Sequence, residues 1–520
     1  MMAEYPELIR AMLNPGFYED ATNQVELVQT QMSFVLIAGD YVYKLKKPVN
    51  LGYLDYTTLE KRHYFCEQEL ELNRRLAPDT YLSVVPIART NSGFKTGGSG
   101  QIVEYAVKMR RLPADRMMNV LLPQDRITIG MLTELARKLA GFHNKAATST
   151  EISSFGSLEA IKVNTDENFS QTRKYIGLSI DGDDYNRIEA FTNRFVSVRG
   201  TLFKERMDRQ RIRDCHGDLH AAHICFANGI QIYDCIEFND RFRYCDVASE
   251  IAFLAMDLDR YDRGDLSREF VEAYVSASGD AAIMRLLAFY KCYRAYVRGK
   301  VESFKLDDRY ISAEEKQKVL GVARKYFKLA TRYTRTRPIL MITTGLMGTG
   351  KTTLAESVAR KTGAVMISSD VVRKHLAGIS PTERKYDGFQ SGIYSLEFTR
   401  KTYDTMFGMA SSLLAKGQNV IIDASFKKRD ERLTARQVAA KVDADFMMIE
   451  CVLNDEEIKR RLVKRSASGT SVSDGRLEIL GEQKADFDRI GELEITGHIV
   501  VDTTHLADES ADFVIERAWQ

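Results

Sequence analysis

The sequence has few cysteines and no long apolar run. Its seven cysteines among 520 residues are scattered and include no C-x-x-C pair, which favours reduced thiols over a disulfide framework. Apolar runs such as Val35 to Ala38 and Ile339 to Ile342 have the length of strands, far below the roughly 18 residues of a membrane span. The N-terminal segment carries charged side chains and lacks the apolar core of a secretory signal. We therefore predict a soluble, cytoplasmic protein.

The sequence also has no large excess of positive or negative charge. The chain has 74 Lys and Arg against 72 Asp and Glu, a formal net charge of +2. No field of the whole protein therefore draws it to nucleic acid or to an anionic membrane. Nucleic acid stays possible as a partner through a local basic patch, no membrane partner is expected, and the oligomeric state is left undefined.

The chain is too long for one hydrophobic core, since single cores stop growing at roughly 250 to 300 residues. A helical pattern over Glu314 to Tyr333 gives way to the basic stretch Arg332 to Arg337 and then to Pro338, which indicates a domain boundary. We predict a first domain over residues 1–335, with a small lobe to about residue 111 and a large lobe after it. A second domain is predicted over residues 338–520.

Short apolar runs alternate with helical stretches after this boundary. This alternation predicts a parallel sheet of about five strands joined by crossover helices. The predicted strands are Ile339 to Thr343, Ala364 to Ser368, Asn419 to Asp423, Asp445 to Cys451 and His498 to Asp502.

The segment from Gly345 to Thr352 fits the pattern G-x-x-x-x-G-K-[ST] and lies between the first predicted strand and a predicted helix, Thr353 to Lys361. Its glycines let backbone N–H groups turn towards phosphate oxygens at a helix N-terminus. Lys351 would reach the β and γ phosphates, and Thr352 would bind Mg²⁺. The alternative is a glycine-rich turn that binds nothing. The predicted nucleotide-binding residues are Gly345, Gly348, Thr349, Gly350, Lys351, Thr352 and Thr353.

Two acidic residues end neighbouring predicted strands. Asp370 follows the second strand and Asp423 ends the third, so both are expected at the sheet edge where ligands bind in α/β proteins. We predict that Asp370 orients a substrate hydroxyl or accepts its proton, and that Asp423 holds Mg²⁺. The alternative for each is a helix cap.

A predicted helix from Asp455 to Arg465 places Arg461 and Arg465 on one face, four residues apart, before a Ser- and Gly-rich segment. This pattern is typical of a mobile lid. Its arginines would neutralise charge on a transferring phosphoryl group. The alternative is a solvated charged helix.

On these residues, the segment from about Pro338 onwards resembles the small P-loop kinases grouped with gluconate kinase, polynucleotide kinase and zeta toxin. The P-loop, the turn Ser368 to Arg373, the strand end Val420 to Asp423 and the Arg-x-x-x-Arg helix carry the resemblance. It implies transfer of a phosphoryl group from ATP to a hydroxyl of a small molecule or of a nucleic-acid 5′ end.

A second acidic pair stands in the first half. Cys215 to His223 reads Cys-His-Gly-Asp-Leu-His-Ala-Ala-His and contains Asp218, and Asp234 follows a strand-like hairpin. Phosphoryl transfer needs one carboxylate near the acceptor hydroxyl and another on the metal. Upstream, Lys44 lies in an alternating apolar strand and Glu69 on a predicted helix, so the two could form the pair that positions the nucleotide phosphates.

This arrangement resembles the aminoglycoside phosphotransferase and choline kinase superfamily over roughly residues 25–300. The resemblance implies that Lys44 and Glu69 position ATP, that Asp218 is the catalytic base and that Asp234 binds Mg²⁺. His223 stands where the family usually has a metal-binding asparagine, although a neutral imidazole could also bind metal. The segment Glu104 to Met109 is the expected hinge between the lobes.

Together these features predict two domains of α+β and α/β class: an N-terminal bilobal protein-kinase-like fold and a C-terminal P-loop NTPase fold. The expected function is phosphotransfer with ATP and Mg²⁺ as cofactors and a small-molecule acceptor, with a second kinase site expected in the N-terminal domain. Two alternatives stay open. The histidines His216, His220 and His223 could form a metal cluster, or the protein could be a regulatory switch or NTPase that binds ATP without transferring phosphate.

Overall fold

The computed structural model describes residues 5–20, 22–91, 93–97, 100–308, 311–335, 337–380, 391–468, 479–491 and 497–518, with the backbone alone at residues 465–468. The chain divides into two compact units. Unit 1 contains Met1–Asp257 and Glu269–Thr331, and unit 2 contains Leu258–Arg268 and Arg332–Gln520.

Unit 1 begins with an antiparallel sheet of six strands in the order β1-β2-β3-β6-β4-β5. Alternation of apolar and polar residues, as in β3, buries one face of this sheet. The strands are β1 Val25–Gln29, β2 Ser33–Ala38, β3 Tyr41–Lys46, β4 Tyr81–Thr90, β5 Gly93–Thr96 and β6 Gln101–Arg110.

Two helices accompany this sheet, α1 (Glu7–Met12) and α2 (Leu59–Arg74). The hydroxyl of Thr58 caps the N-terminus of α2 by accepting from the backbone N–H of Lys61. α2 packs Cys66 and Leu70 against β4 and β6, and α1 packs against β2 and β3. The packing of α2 on the sheet brings Glu69 under Lys44.

The remainder of unit 1 is mainly helical and also holds two small antiparallel pairs, β7 with β10 and β8 with β9. The strands are β7 Ile212–Asp214, β8 Ile224–Cys225, β9 Gln231–Ile232 and β10 Tyr244–Asp246. The helices are α3 Met118–Leu121, α4 Ile129–Lys145, α5 Thr150–Ser154, α6 Leu158–Thr172, α7 Gly182–Asp208, α8 Asp240–Arg243, α9 Val247–Arg260, α10 Gly264–Ser278, α11 Leu287–Phe304 and α12 Ala313–Tyr333. The end of α9, the start of α10 and the end of α12 belong to unit 2.

The predicted hinge is wrong. Glu104 to Met109 lie inside β6, which pairs with β3 on one side and β4 on the other. Hydrogen bonds to both neighbours hold this segment in the sheet, so it cannot act as the connection. The chain leaves the sheet after Arg110.

Unit 2 contains a parallel sheet of five strands in the order β12-β13-β11-β14-β15. The strands are β11 Ile339–Thr344, β12 Val365–Ser368, β13 Val420–Asp423, β14 Asp445–Val452 and β15 His498–Asp502. The helices are α13 Lys351–Thr362, α14 Ser369–Leu376, α15 Leu396–Ala415, α16 Arg429–Lys441, α17 Asp455–Ser468, α18 Leu480–Ala485 and α19 Ala507–Ala518.

Both faces of the parallel sheet are covered. α15 and α16 bury one face against residues such as Leu340 and Ile422, and α13 and α19 bury the other against residues such as Met341 and Ile449. A sheet buried on both faces explains why its central strands are continuous apolar runs.

The predicted fold class is confirmed at the level of topology: unit 1 combines an antiparallel sheet with a mainly helical part, an α+β arrangement, and unit 2 is an α/β fold with a parallel sheet of five strands. Among the helices that the structure describes, none is long and apolar enough to cross a membrane.

Candidate active sites

The loop between β11 and α13 depends on glycine at three positions. Gly345, Gly348 and Gly350 have φ angles of 136°, 80° and 83°, a region that L side chains rarely adopt. A Cβ at Gly345 would lie 2.5 Å from the carbonyl oxygen of Cys451. The loop therefore forms a close backbone turn that leads directly into the N-terminus of α13, where anions are favoured.

The first residues of α13 face the end of β13. The hydroxyl of Thr352 donates to Asp423 Oδ2 at 2.8 Å, and the Lys351 ammonium donates to the carbonyl of Leu346 at 2.7 Å. Asp423 is buried at the C-terminal end of its strand. A hydroxyl and a carboxylate thus stand together beside the phosphate-binding turn, and both are oxygen ligands of the kind that Mg²⁺ prefers.

Asp370 lies at the same sheet edge. Ser368 is paired with Asp423 in the register of β12 and β13, and Asp370 follows in the first turn of α14. Ser368 is the N-cap of α14, and Lys428 is the N-cap of α16. Neither acid is therefore an N-cap residue. Arg373, from the same turn, is buried and donates to the carbonyl of Ile393.

Helix α17 packs against the phosphate-binding turn. Ile458 and Leu462 form an apolar cluster with Leu346 and Met347 of the turn. On the same helix Arg461 donates to Glu457 at 3.0 Å and to the carbonyl of Thr503 at 2.8 Å. Its Nη1 lies 3.2 Å from the position of a Cβ on Gly350. The structure thus brings Arg461 to the turn, whereas the side chain of Arg465 lies outside the described residues.

In unit 1 the expected lysine and glutamate meet. Lys44 Nζ lies 2.8 Å from Glu69 Oε1 and 2.6 Å from Asp234 Oδ1. Burial would lower the pKa of Lys44, but Asp234 and Glu69 raise it well above its usual value. Burial would raise the pKa of the Asp234 carboxyl, but Lys44 and His223 hold it below its usual value. Lys44 is therefore a fixed cation.

In the segment Cys215 to His223, imidazoles lie close to the carboxylate of Asp218. His223 lies 3.6 Å from Asp218 Oδ2 through Nδ1 and 3.4 Å from Asp234 Oδ2 through Nε2. Burial and His220 lower the pKa of His223 to about 4, so its ring is neutral near pH 7. Burial would raise the pKa of Asp218, but His220, His223 and Arg298 hold it well below its usual value.

The three-histidine metal cluster does not form in the described part of the chain. His216 Nε2 bonds to the carbonyl of Tyr233 at 2.9 Å, and its Nδ1 accepts from the backbone N–H of Asp218 at 3.3 Å. Both of its nitrogens are therefore occupied by the backbone. The groups within metal-ligand reach of one another here are Asp218, His220 and His223.

Sequence reasoning missed Glu250, which lies on α9. Its carboxylate accepts from the backbone N–H groups of His216, at 2.9 and 3.0 Å, and Gly217, at 3.2 Å. These bonds fix the backbone that precedes Asp218. No motif could have revealed Glu250, because only the folded chain brings it to the loop.

Two further groups were missed. Lys46 is buried and contacts Glu69 at 2.8 Å as well as Glu237, so it helps to hold the Glu69 carboxylate in place. The sequence offered a signal for it, because Lys46 follows Lys44 by two residues and lies on the same face of the strand. In unit 2, Gln483 Oε1 accepts from the backbone N–H of Met347 at 2.8 Å. Gln483 follows a segment without clear periodicity, which gave no signal.

A cavity of about 870 Å³ within unit 1 connects these groups. Lys44, Asp218 and Asp234 line it together with residues of β2, β6 and α11. It is large enough for a nucleotide and part of a second small molecule.

Comparison with known proteins adds a family and several relatives. The family model described as AAA domain matches residues 340–490, which contain the phosphate-binding turn. Uncharacterized protein Rv2004c of Mycobacterium tuberculosis is 32% identical over 476 residues, 91% of each chain. Uncharacterized protein Mb2027c of Mycobacterium bovis has the same identity and coverage.

Solved structures resemble each half. Aminoglycoside 2'-phosphotransferase-IIIa in its GDP complex is 14% identical and covers 62% of this chain and 99% of its own, with a TM-score of 0.36. A gluconokinase from Sinorhizobium meliloti 1021 is 17% identical and covers 35% of this chain and 95% of its own, with a TM-score of 0.25. The APS kinase CysC of Mycobacterium tuberculosis is 21% identical and covers 36% of this chain and 100% of its own, with a TM-score of 0.26.

The topology of the two units agrees with the predicted order of two unlike halves, and the family model matches the half predicted to resemble P-loop kinases. The long alignment to the mycobacterial proteins runs through both halves and preserves their order as one chain. With this identity and coverage, the chain belongs to the family of Uncharacterized protein Rv2004c.

Proposed function

We propose that the chain is an ATP-dependent phosphotransferase that moves the γ-phosphoryl group of ATP to an alcohol. The observation that carries this proposal is the bond of 2.8 Å between Thr352 and Asp423 beside the glycine turn. It sets a magnesium-binding hydroxyl and carboxylate next to a backbone built for phosphates. Mg²⁺ bound to ATP would supply charge neutralisation on the phosphates.

At the P-loop site each protein group has a proposed role. Backbone N–H groups of the turn hold the phosphates, and Lys351 exchanges its bond to Leu346 for the β and γ phosphates. Thr352 and Asp423 hold the metal. Asp370 orients the acceptor hydroxyl and takes its proton, and Arg461 neutralises charge on the transferring group. Arg465 is the second proposed lid arginine.

Unit 1 supplies a second proposed site. Lys44, fixed by Glu69 at 2.8 Å, would bind the nucleotide phosphates, and Asp234 would bind Mg²⁺ with His223. The neutral ring of His223, with its pKa of about 4, fits a metal ligand because only a deprotonated nitrogen binds metal. Asp218 would then act as the base for a second acceptor hydroxyl.

The proposed acceptors are small molecules, with a nucleic-acid 5′-hydroxyl as a further candidate for the P-loop site. The near-neutral net charge of the chain gives no support for nucleic acid. A switch that binds ATP without transfer is the rival function. Asp370 argues against it, because a switch needs no acid that orients a hydroxyl.

Labelled ATP and a pool of cell metabolites test the proposal. We expect label in a metabolite with the wild-type chain, and we expect Asp370→Asn and Asp218→Asn each to remove the products of one site. Both substitutions keep the size of the side chain, so folding is preserved. ATP hydrolysis that both variants leave unchanged, with no labelled metabolite, would instead indicate a switch.

A further inference from the structure

The cavity of unit 1 extends beyond Asp218 along one face of α11. The lining residues from this helix recur at intervals of three and four, so they form a single broad face. They are Phe289, Tyr290, Tyr293, Arg294, Val297, Arg298, Lys300, Val301 and Phe304. This face carries three cations and no acid.

The hydrogen-bond partners of two of these cations are neutral. Lys300 Nζ donates to Asn168 Oδ1 at 2.6 Å and to Gln171 Oε1 at 2.8 Å. Arg294 donates to Ser249 and to the carbonyl of Gly217 at 3.3 Å. Burial lowers the pKa of Lys300 to about 8, and the opposing effect of Glu167 does not compensate for it.

The third cation, Arg298, lines the cavity together with Asp218. It has Glu302 at 3.9 Å, and its charge is one of the influences that hold the pKa of Asp218 below its usual value. Arg298 therefore acts electrostatically on the proposed catalytic base.

Most acids of this half of the cavity are already neutralised. Glu167 pairs with Arg241, and Asp246 pairs with the buried Arg206 at 2.7 Å. Asp234 and Glu237 are likewise paired, with Lys44 and Lys46, and Asp218 lines the cavity together with the three cations of α11. The acceptor region is positive, which disfavours a cationic guest and favours an anionic one.

An aromatic wall contributes to the same region. Tyr53 lies 5.9 Å from Phe238 and 6.3 Å from Phe242 between ring centroids, and all three line the cavity. Such a wall can cover the carbon skeleton of a small molecule while charged groups hold its polar end.

We propose that the acceptor of the first site is an alcohol that carries an anionic group, a carboxylate or a phosphate, bound by Lys300 and Arg298 while its hydroxyl faces Asp218. This inference rests on the proposed kinase function of the site. In the reaction the acceptor oxygen forms a bond to the γ-phosphorus, the bond from that phosphorus to the bridging β,γ oxygen breaks, the hydroxyl proton passes to Asp218 and ADP leaves. A polycationic acceptor such as an aminoglycoside does not fit.

Competitive acetylation of lysines in the full chain, read by mass spectrometry, tests this inference. The probes are glycerate, glycerol 3-phosphate, glycerol and kanamycin, each with and without Mg²⁺ and ATP. Lys300 reports the acceptor region, Lys44 reports the nucleotide site, and the exposed Lys162 is the internal reference.

We expect glycerate or glycerol 3-phosphate to slow acetylation of Lys300 several-fold and to raise its apparent pKa, and glycerol to do neither. The anion that slows acetylation of Lys300 more strongly shows whether the site prefers a carboxylate or a phosphate. In calorimetry, Lys300→Gln should weaken binding of that anion about tenfold, or 1.4 kcal/mol, and Lys162→Gln should not.

Protection of Lys300 by kanamycin and not by the anions would overturn the inference, as would equal effects of glycerol and the anions. Protection of Lys44 by ATP separates this outcome from failure of the kinase proposal. If Lys44 is protected and Lys300 is not, the anionic acceptor is wrong. If Lys44 reacts at the same rate with and without ATP, the proposed function of the site is wrong.

Discussion

Each candidate site depends on a single residue that cannot be replaced without changing the backbone around it. Gly345 is one, because its φ of 136° and the carbonyl of Cys451 leave no room for a side chain. Glu250 is another, because one buried carboxylate receives the backbone N–H groups of His216 and Gly217. The first shapes a phosphate-binding turn and the second shapes the loop that presents Asp218.

Replacement of Gly345 by alanine should abolish nucleotide binding at the P-loop site. The new Cβ would meet backbone at 2.5 Å, and the backbone strain adds about 1–3 kcal/mol. Gly417→Ala is the matched control, since Gly417 also has a positive φ, of 79°, but open space around its Cβ. Calorimetry with ATP on Lys44→Ala backgrounds checks the effect. Equal loss of binding in both variants would contradict this explanation of the turn.

Glu250 should contribute an acid-sensitive part of the stability. Burial would raise the pKa of this carboxyl, but His143, His216 and Cys215 lower it to about 2. Because the pKa is lower in the folded chain, the stabilisation is fully present above the ordinary value near 4.5 and is lost as pH falls towards 2.

Glu250→Gln should therefore lower the free energy of unfolding at neutral pH by about 1.5–3 kcal/mol. It should also flatten the dependence of that free energy on pH between about 4.5 and 2. Glu205→Gln, at an exposed ion pair, serves as the control. Denaturant unfolding at several pH values measures both effects, and a Glu250→Gln curve parallel to the wild-type curve would show that the carboxylate has no such role.

At the scale of elements, the parallel strands of unit 2 were predictable and the hinge of unit 1 was not. Central parallel strands are apolar on both faces, so the run before Asp423 reveals β13 without any partner. β6 is also regular, but its pairing with β3 and β4 involves residues distant in sequence. The family resemblance alone supplied the hinge position, and it was placed inside a paired strand.

The candidate sites divide in the same way. Motif residues such as Lys351 and Asp218 stand in local patterns that the sequence displays. Glu250 and Lys300 do not, since each acts through contacts made by packed helices. Local patterns thus predict where phosphate binds, and tertiary packing determines what supports the loop and what the acceptor meets.

Helix α17 should act on transfer more than on nucleotide binding. Arg461 is held by Glu457 and by the carbonyl of Thr503 next to the turn, where charge develops during transfer. Arg461→Ala should lower kcat at the P-loop site at least tenfold, about 1.4 kcal/mol, with a smaller change in the affinity for ATP. Arg460→Ala is the control, because Arg460 also pairs with Glu457 but is 74% exposed. Steady-state kinetics measure kcat for both variants. An equal change in kcat for Arg461→Ala and Arg460→Ala would refute this role.

At the scale of the whole molecule, we propose two nucleotide sites of unrelated construction on one chain. Lys44 binds phosphates from a strand in the proposal for unit 1, whereas Lys351 does so from a helix N-terminus in unit 2. The family relationship extends over 91% of the chain, so the relatives share both halves.

The stoichiometry of ATP binding to the full chain in the presence of Mg²⁺ tests the central claim most directly. Equilibrium dialysis should give two nucleotides per wild-type chain, one per chain for Lys351→Ala and for Lys44→Ala, and none when both are combined. Circular dichroism would establish that each variant is folded. A folded wild-type chain that binds no ATP, or whose stoichiometry neither substitution changes, would contradict the account.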